Sequence, residues 1–294
     1  MKRSTLRKAT CSLLGAMLLC GGLAAAQENG VMPPPKVLVI DREYLKPGKG
    51  GAPHEKTESA FAQAARRVKE PTHYIAMNSM SGKNRALFFF GFDSFEAWEK
   101  ENLSVANNAS FSAELDRDAV ADGELLSETD AGVFTYDEEQ SLRAPVDIAQ
   151  MRYFEITMYR VRPGHRHEWD EALKLVKAAY EKVPTMHWAM YRNMFGGQDA
   201  TYVVIIPRKS LAELDQAEDM SKQFAAAMGA DGMKQLLDLE HSAVEFTQNN
   251  LFQIDAGMSY PRDEWIKAAP EFWKPQGAAP MKMKAKPQDK PANP

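Results

Sequence analysis

Apolar positions along this chain fall into two periods, one of two residues and one of three to four. The periods follow each other in the same order twice. Tyr153 to Val161 alternates, is rich in β-formers, and stops at Pro163-Gly164, which predicts a strand running into a turn. His167 to Val183 then places Trp169, Leu173, Val176, Ala179, Tyr180 and Val183 at helical spacing and ends before Pro184, where the missing N–H stops a helix. Met186 to Met194 is the second strand, Gly196-Gly197 the turn, and Thr201 to Ile206 the third strand. Leu211 to about Phe246 has helical spacing with a break near Gly229 to Gly232, and Leu251 to Ile254 closes the unit. The earlier half gives the same series: strand Lys36 to Leu45, helix Glu55 to Glu70, strands Tyr74 to Met80 and Arg85 to Phe90, a helical stretch Phe95 to Glu128 broken at Ala121-Asp122-Gly123, and strand Val133 to Asp137.

The likeness extends to individual residues. Pro71-Thr72-His73-Tyr74-Ile75-Ala76-Met77 recurs as Pro184-Thr185-Met186-His187-Trp188-Ala189-Met190, and the same offset lays His54-Glu55 on His167-Glu168. Lys46-Pro47-Gly48 answers Arg162-Pro163-Gly164, and Phe134, Asp137 and Ser141 answer Phe252, Asp255 and Ser259. A repeat of this length is a whole small domain, not a solenoid unit of about 20–50 residues. The copies span residues 36–144 and 153–260, joined by a linker at 145–152, and each has the β-α-β-β-α-β order of a ferredoxin-like unit. An aromatic segment, Tyr260 to Trp273, is expected to clamp across the structure. The Pro-, Lys- and Ala-rich residues after Pro270 have the composition of a solvated tail.

The phrase Phe154-Glu155-Ile156-Thr157-Met158-Tyr159-Arg160-Val161-Arg162-Pro163-Gly164, followed by a helix, resembles the opening of the dimeric α/β-barrel superfamily, in its NIPSNAP-like and antibiotic-biosynthesis-monooxygenase-like branches. The resemblance covers both copies. It implies an α+β fold in which two four-stranded sheets face each other as a barrel with helices outside, here closed within one chain. Some members of the monooxygenase-like branch use neither metal nor flavin, while others bind haem through a histidine with tryptophan and asparagine nearby. This chain offers His187, Trp188 and Asn193, but alternation puts Trp188 on the opposite strand face from the other two, so haem chemistry is not expected.

Alternation separates the two faces of each sheet. Phe154, Ile156 and Met158 share one face, as do Met186, Trp188 and Met190, and these apolar sets are expected under the helices. The opposite sets would line the barrel: Glu155, Thr157, Tyr159, His187, Tyr191 and Asn193 in the second copy, and Val39, Asp41, Glu43, Tyr74 and Asn78 in the first. From them come candidate catalytic residues: His187 as a base oriented by Glu155, with Tyr159 or Tyr191 as proton donor. Asp41, Glu43, Tyr74, Asn78, Thr157 and Asn193 are candidate ligand-binding residues, and the bland alternative is a polar interior whose groups satisfy one another.

Composition narrows the chemistry further. The two cysteines, Cys11 and Cys20, lie within an N-terminal stretch with the basic, apolar and small-residue regions of a signal peptide, ending at Ala24-Ala25-Ala26. An exported chain without a thiol is therefore expected, which removes disulfides, thiolate nucleophiles and cysteine metal sites. A net charge of −4 leaves no basic footprint for nucleic acid, and no later segment is apolar enough to span a bilayer. His165-Arg166-His167 is better explained as an ordinary loop-to-helix junction than as a metal site. Neither metal nor cofactor is expected. Three functions remain open: a small-molecule-binding barrel, a cofactorless monooxygenase- or isomerase-like enzyme, and a partner-binding module.

Overall fold

The computed structural model describes residues 30–274, so the signal-peptide pattern and the Met- and Lys-rich tail lie outside the described residues. The first copy is built from β2 (Val37–Leu45), α1 (Ala52–Val68), β3 (Tyr74–Ser79), β4 (Arg85–Phe92), α2 (Phe95–Asn107), α3 (Ala109–Gly123) and β5 (Leu126–Leu142), preceded by a short β1 (Val31–Met32). A short β6 (Val146–Asp147) and a 3-10 turn lead to the second copy: β7 (Tyr153–Val161), α4 (Arg166–Tyr180), β8 (Trp188–Phe195), β9 (Thr201–Arg208), α5 (Ala217–Ala243) and β10 (Val244–Tyr260). Two short helices, α6 (Asp263–Ala268) and α7 (Pro270–Trp273), follow. Among the described residues no helix is long and apolar enough to cross a membrane.

The strands close on themselves in the order β10-β3-β4-β2-β5-β8-β9-β7, every neighbour antiparallel. Each copy supplies one four-stranded sheet, and the sheets are sewn together where β5 meets β8 and β10 meets β3. Closure leaves no barrel strand with an unpaired edge. The turn after each copy's first strand needs a positive φ, supplied at 76° by Gly48 and at 86° by Gly164, a conformation glycine adopts without a Cβ clash.

The closing strands are much longer than sequence patterning suggests. β5 begins at Leu126 and β10 at Val244, inside stretches of helical spacing. Their leading ends are largely exposed, so no half-buried alternation marks them as strand. The first copy's long helical stretch ends at Gly123, as expected, and also breaks at Asn108, whose side chain caps α3 by accepting from the Phe111 N–H at 3.2 Å.

The barrel interior is filled by side chains. Leu38, Ile40, Leu87, Phe89, Phe154 and Phe252 belong to one buried cluster that also takes in Trp265 and Trp273 of the C-terminal helices. Two further clusters lie between the sheets and the helices: Ala62, Ala65, Phe88 and Phe111 in the first copy, and Trp169, Trp188, Met190 and Tyr202 in the second. Both faces of each sheet are therefore buried, one by the opposing sheet and one by helices. This corrects the expected assignment of faces. Phe154, with Ile156 and Met158, points into the barrel, while Glu155, Thr157 and Tyr159 share the helix-facing side with Val161. In the first copy Asp41, Glu43, Tyr74 and Asn78 likewise face the helices, since Leu38, Ile40, Ile75 and Met77 take the interior. Tyr191 does belong to the interior cluster, whereas Trp188 and Met190 do not.

Candidate functional site

The site lies on the helix side of the first sheet. A cavity of about 340 Å³ opens between that sheet and α1, α2 and α3, walled by Phe61, Phe88, Phe90, Phe92, Trp98 and Phe111. Its polar groups converge from several elements: Asp41 and Glu43 from β2, Tyr74 from β3, Glu58 from α1, Glu70 from the segment after α1, and Glu101 from α2. Strand alternation places Asp41 and Glu43 side by side on one face, two residues apart.

Behind the floor is a cluster of four ionisable side chains. His54 and Glu58 stand one turn apart on α1, Glu43 projects from β2, and Asp122 comes from the last turn of α3. The His54 Nε2 lies 2.9 Å from Glu43 Oε2, 3.7 Å from Asp122 Oδ1 and 4.0 Å from Glu58 Oε1. His54, Glu58 and Asp122 are all at most 4% exposed. The Thr57 hydroxyl donates to Asp122 Oδ1 at 2.6 Å and fixes that carboxylate.

Burial sets the protonation pattern, because a carboxylate withdrawn from water loses its hydration. Burial pushes the Glu58 carboxyl up to about 10, helped by the facing charges of Glu43 and Asp122. Burial also raises Glu43, against the hydrogen bond from His54 that lowers it. Asp41 is pushed up to about 6 by burial and by Glu43 beside it. Burial likewise raises the Tyr74 phenol, which keeps its proton. At the cavity's other end Glu70 is pushed up to about 7 by burial and by the Glu101 carboxyl.

The second copy has no such arrangement. Strand registers put Tyr159 where β2 has Glu43: Tyr44 pairs with Arg85 as Arg160 pairs with Thr201. The Tyr159 ring packs 5.1 Å from Trp169 of α4, which in turn lies 5.2 Å from Tyr202. Aromatic rings fill the space that is a cavity in the first copy. The two matched histidines also differ in environment, since His54 is buried and His167 exposed.

The proposed catalytic set is not brought together. The Glu155 carboxylate accepts from Arg208 Nε at 3.0 Å and from Asn249 Nδ2 at 2.8 Å, and His187 Nε2 instead sits 2.9 Å from the Pro207 carbonyl oxygen. The Tyr191 hydroxyl donates to the Pro35 carbonyl at 3.2 Å, and Tyr159 belongs to the aromatic stack. Of the ligand-binding candidates, Asp41, Glu43 and Tyr74 share the cavity. Asn78 donates to Asp255 Oδ2 at 3.0 Å, Thr157 is buried under the second copy's helices, and Asn193 sits by the β8–β9 turn near Gln198. His54, Glu58 and Asp122 were missed. The available signal was the i,i+4 spacing of His54 and Glu58, which puts both on one helix face. His165, in contrast, only meets its neighbour Glu168 at 3.3 Å on the surface.

No family model and no curated protein matches this chain. Among solved structures, a monooxygenase candidate from Fusobacterium nucleatum matches 76% of this chain and 94% of its own at 10% identity and a TM-score of 0.50. The shared fold is a dimeric α/β barrel. Weaker likenesses to this dimeric α/β barrel include a chlorite dismutase mutant from Candidatus Nitrospira defluvii, at 9% identity over 80% of this chain and 95% of that one, with a TM-score of 0.43. A NIPSNAP family protein of unknown function from Agrobacterium tumefaciens is 16% identical over 35% of this chain and 88% of its own, with a TM-score of 0.25. In this dimeric α/β barrel both sheets come from one polypeptide, and the two halves have diverged: one holds a cavity with an acidic floor, the other a packed aromatic core.

Proposed function

We propose that this protein is an exported small-molecule-binding barrel whose site is the first-copy cavity and whose ligand is a neutral or cationic aromatic compound carrying hydrogen-bond donors. The observation that carries the reading is the cavity itself: a wall of aromatic rings with Asp41, Glu43, Glu58, Glu70 and Glu101 among its lining. Its volume of about 340 Å³ is at the small end of ligand sites, which run from about 300 to 1,000 Å³. Five acidic side chains disfavour an anionic ligand, whereas phenol or amine donors would find acceptors there. The signal-peptide pattern supports export. The similarly folded monooxygenase candidate fits a fold that handles small molecules, but the His187–Glu155 chemistry has no geometric support in this chain.

Titration with 1-naphthol, followed by tryptophan fluorescence through Trp98 in the cavity wall, tests the reading. Saturable quenching is expected, and Val105→Trp, which fills the cavity from α2, should abolish it. Saturation that survives Val105→Trp, or no saturation by 1-naphthol or by the amine 1-naphthylmethylamine, would reject the cavity as the ligand site.

A further inference from the structure

We infer that Glu43, His54, Glu58 and Asp122 form a binding site for a first-row divalent metal ion behind the floor of the cavity. One imidazole nitrogen and three carboxylate oxygens lie within 4.8 Å of one another. Donors about 2.1 Å from a shared ion stand about 3.4 Å apart in a tetrahedral site, and the His54 Nε2 distances of 2.9, 3.7 and 4.0 Å bracket that value. An imidazole with carboxylates suits manganese, iron, cobalt or zinc better than magnesium or calcium, whose shells are all oxygen.

Two observations point beyond an acidic cluster that satisfies itself. Glu58 is 4% exposed, yet its Oε1 has no hydrogen-bond partner. That atom faces His54 at 4.0 Å, too far for a hydrogen bond and close enough for two ligands of one ion. Among the described residues, His54 is the only basic side chain within ion-pair reach of Glu43, Glu58 or Asp122. Asp122 also sits in the last turn of α3, where the helix dipole adds to the cost of a carboxylate. A divalent cation bound there would neutralise the buried carboxylates and displace any proton they hold. Glu43 and Glu58 line the cavity while His54 and Asp122 are not part of its lining, so the ion would be held at the cavity floor.

The site shares Glu43 and Glu58 with the cavity lining and is tested with the metal alone. The full chain, stripped with EDTA, is titrated with Co²⁺ and followed by visible absorption, then challenged with Zn²⁺. Stoichiometric uptake with ligand-field bands, displaced by Zn²⁺ and accompanied by a rise in Tm, is expected. Glu58→Gln keeps the side-chain volume and should weaken uptake by at least about tenfold, the scale on which even outer-shell partners act; His54→Ala should abolish it. The double variant His165→Ala/His167→Ala should bind as the parent does, and so should Val105→Trp, which blocks only the aromatic probe. No stoichiometric Co²⁺ or Zn²⁺ uptake by the parent would overturn the assignment. So would uptake unchanged in a Glu58→Gln protein whose circular dichroism shows it folded, or uptake lost only with His165 and His167.

Discussion

At the scale of single residues, one type of side chain does different work according to what faces it. Glu155 sits in a partly buried ion pair with Arg208, whose side chain is 8% exposed, and a second oxygen is held by Asn249. Removing one partner of such a pair strands the other charge. Glu155→Ala should therefore lower stability by about 3 kcal/mol in urea unfolding and leave 1-naphthol affinity unchanged. A loss of affinity with stability intact would restore a functional role to Glu155. Glu70 is the opposite case, a carboxyl raised to about 7 by burial and by Glu101. Its folded value lies above its unfolded value of 4.5, so between those pH values the folded state holds the extra proton. Stability from this group is complete below the unfolded value and is lost as pH rises through about 7. Thermal unfolding from pH 4.5 to 8 should show that decline, and Glu101→Gln should flatten it. An unchanged slope would mean that the two carboxyls do not share a proton.

At the scale of elements, the repeat marker Asp137…Ser141 and Asp255…Ser259 turns out to be a seam device. In β5 the Ser141 hydroxyl donates to the Asp137 carbonyl at 2.6 Å and accepts from the Met190 N–H across the seam at 2.9 Å. In β10 Ser259 does the same with the Asp255 carbonyl and the Ala76 N–H, at 2.5 and 2.9 Å. Each serine bridges a bulge in which the pairing register shifts. Ser141→Ala or Ser259→Ala leaves a buried N–H without an acceptor and should cost about 1–3 kcal/mol. Because the seams are far apart in the barrel order, the double variant should show the sum of the single effects in equilibrium unfolding; a marked excess would mean the seams open as one unit. The same bonds explain part of what sequence reading found and lost. Element order and the repeated Asp and Ser positions were visible because turns and bulges need particular residues. The match of Ala76 to Ala189, however, is one residue out, since the serines pair Ala76 with Met190. A slip of one residue exchanges the faces of a strand, and with both faces buried, hydropathy offered no check on which one met the helices. That is why Glu43, Asp41 and Tyr74 were picked out correctly as a polar set and assigned to the wrong side.

At the scale of the molecule, the two faces of the sheets are covered by different elements, and the C-terminal segment shows it. The barrel interior is closed at one end by α6 and α7. Trp273 is fully buried, its indole N–H donates to the Ala149 carbonyl at 2.9 Å, and its ring lies 5.5 Å from Trp265. This joins the end of the described chain to the linker between the copies, so the C-terminal helices cover the core that both sheets share. The cavity and its acidic floor lie on the other side of the first sheet, under α1, α2 and α3. A defect in the plug should therefore affect the fold without reaching the site. Trp273→Ala removes a buried indole and its hydrogen bond and should lower stability by about 3–5 kcal/mol, with more apolar surface exposed to a hydrophobic dye. Below the unfolding midpoint the variant should still take up Co²⁺ and bind 1-naphthol with parental affinity. If both affinities fell in step with stability, the barrel interior and the cavity would be one cooperative unit, and the first copy's helices could not be treated as a site carried on an independent scaffold.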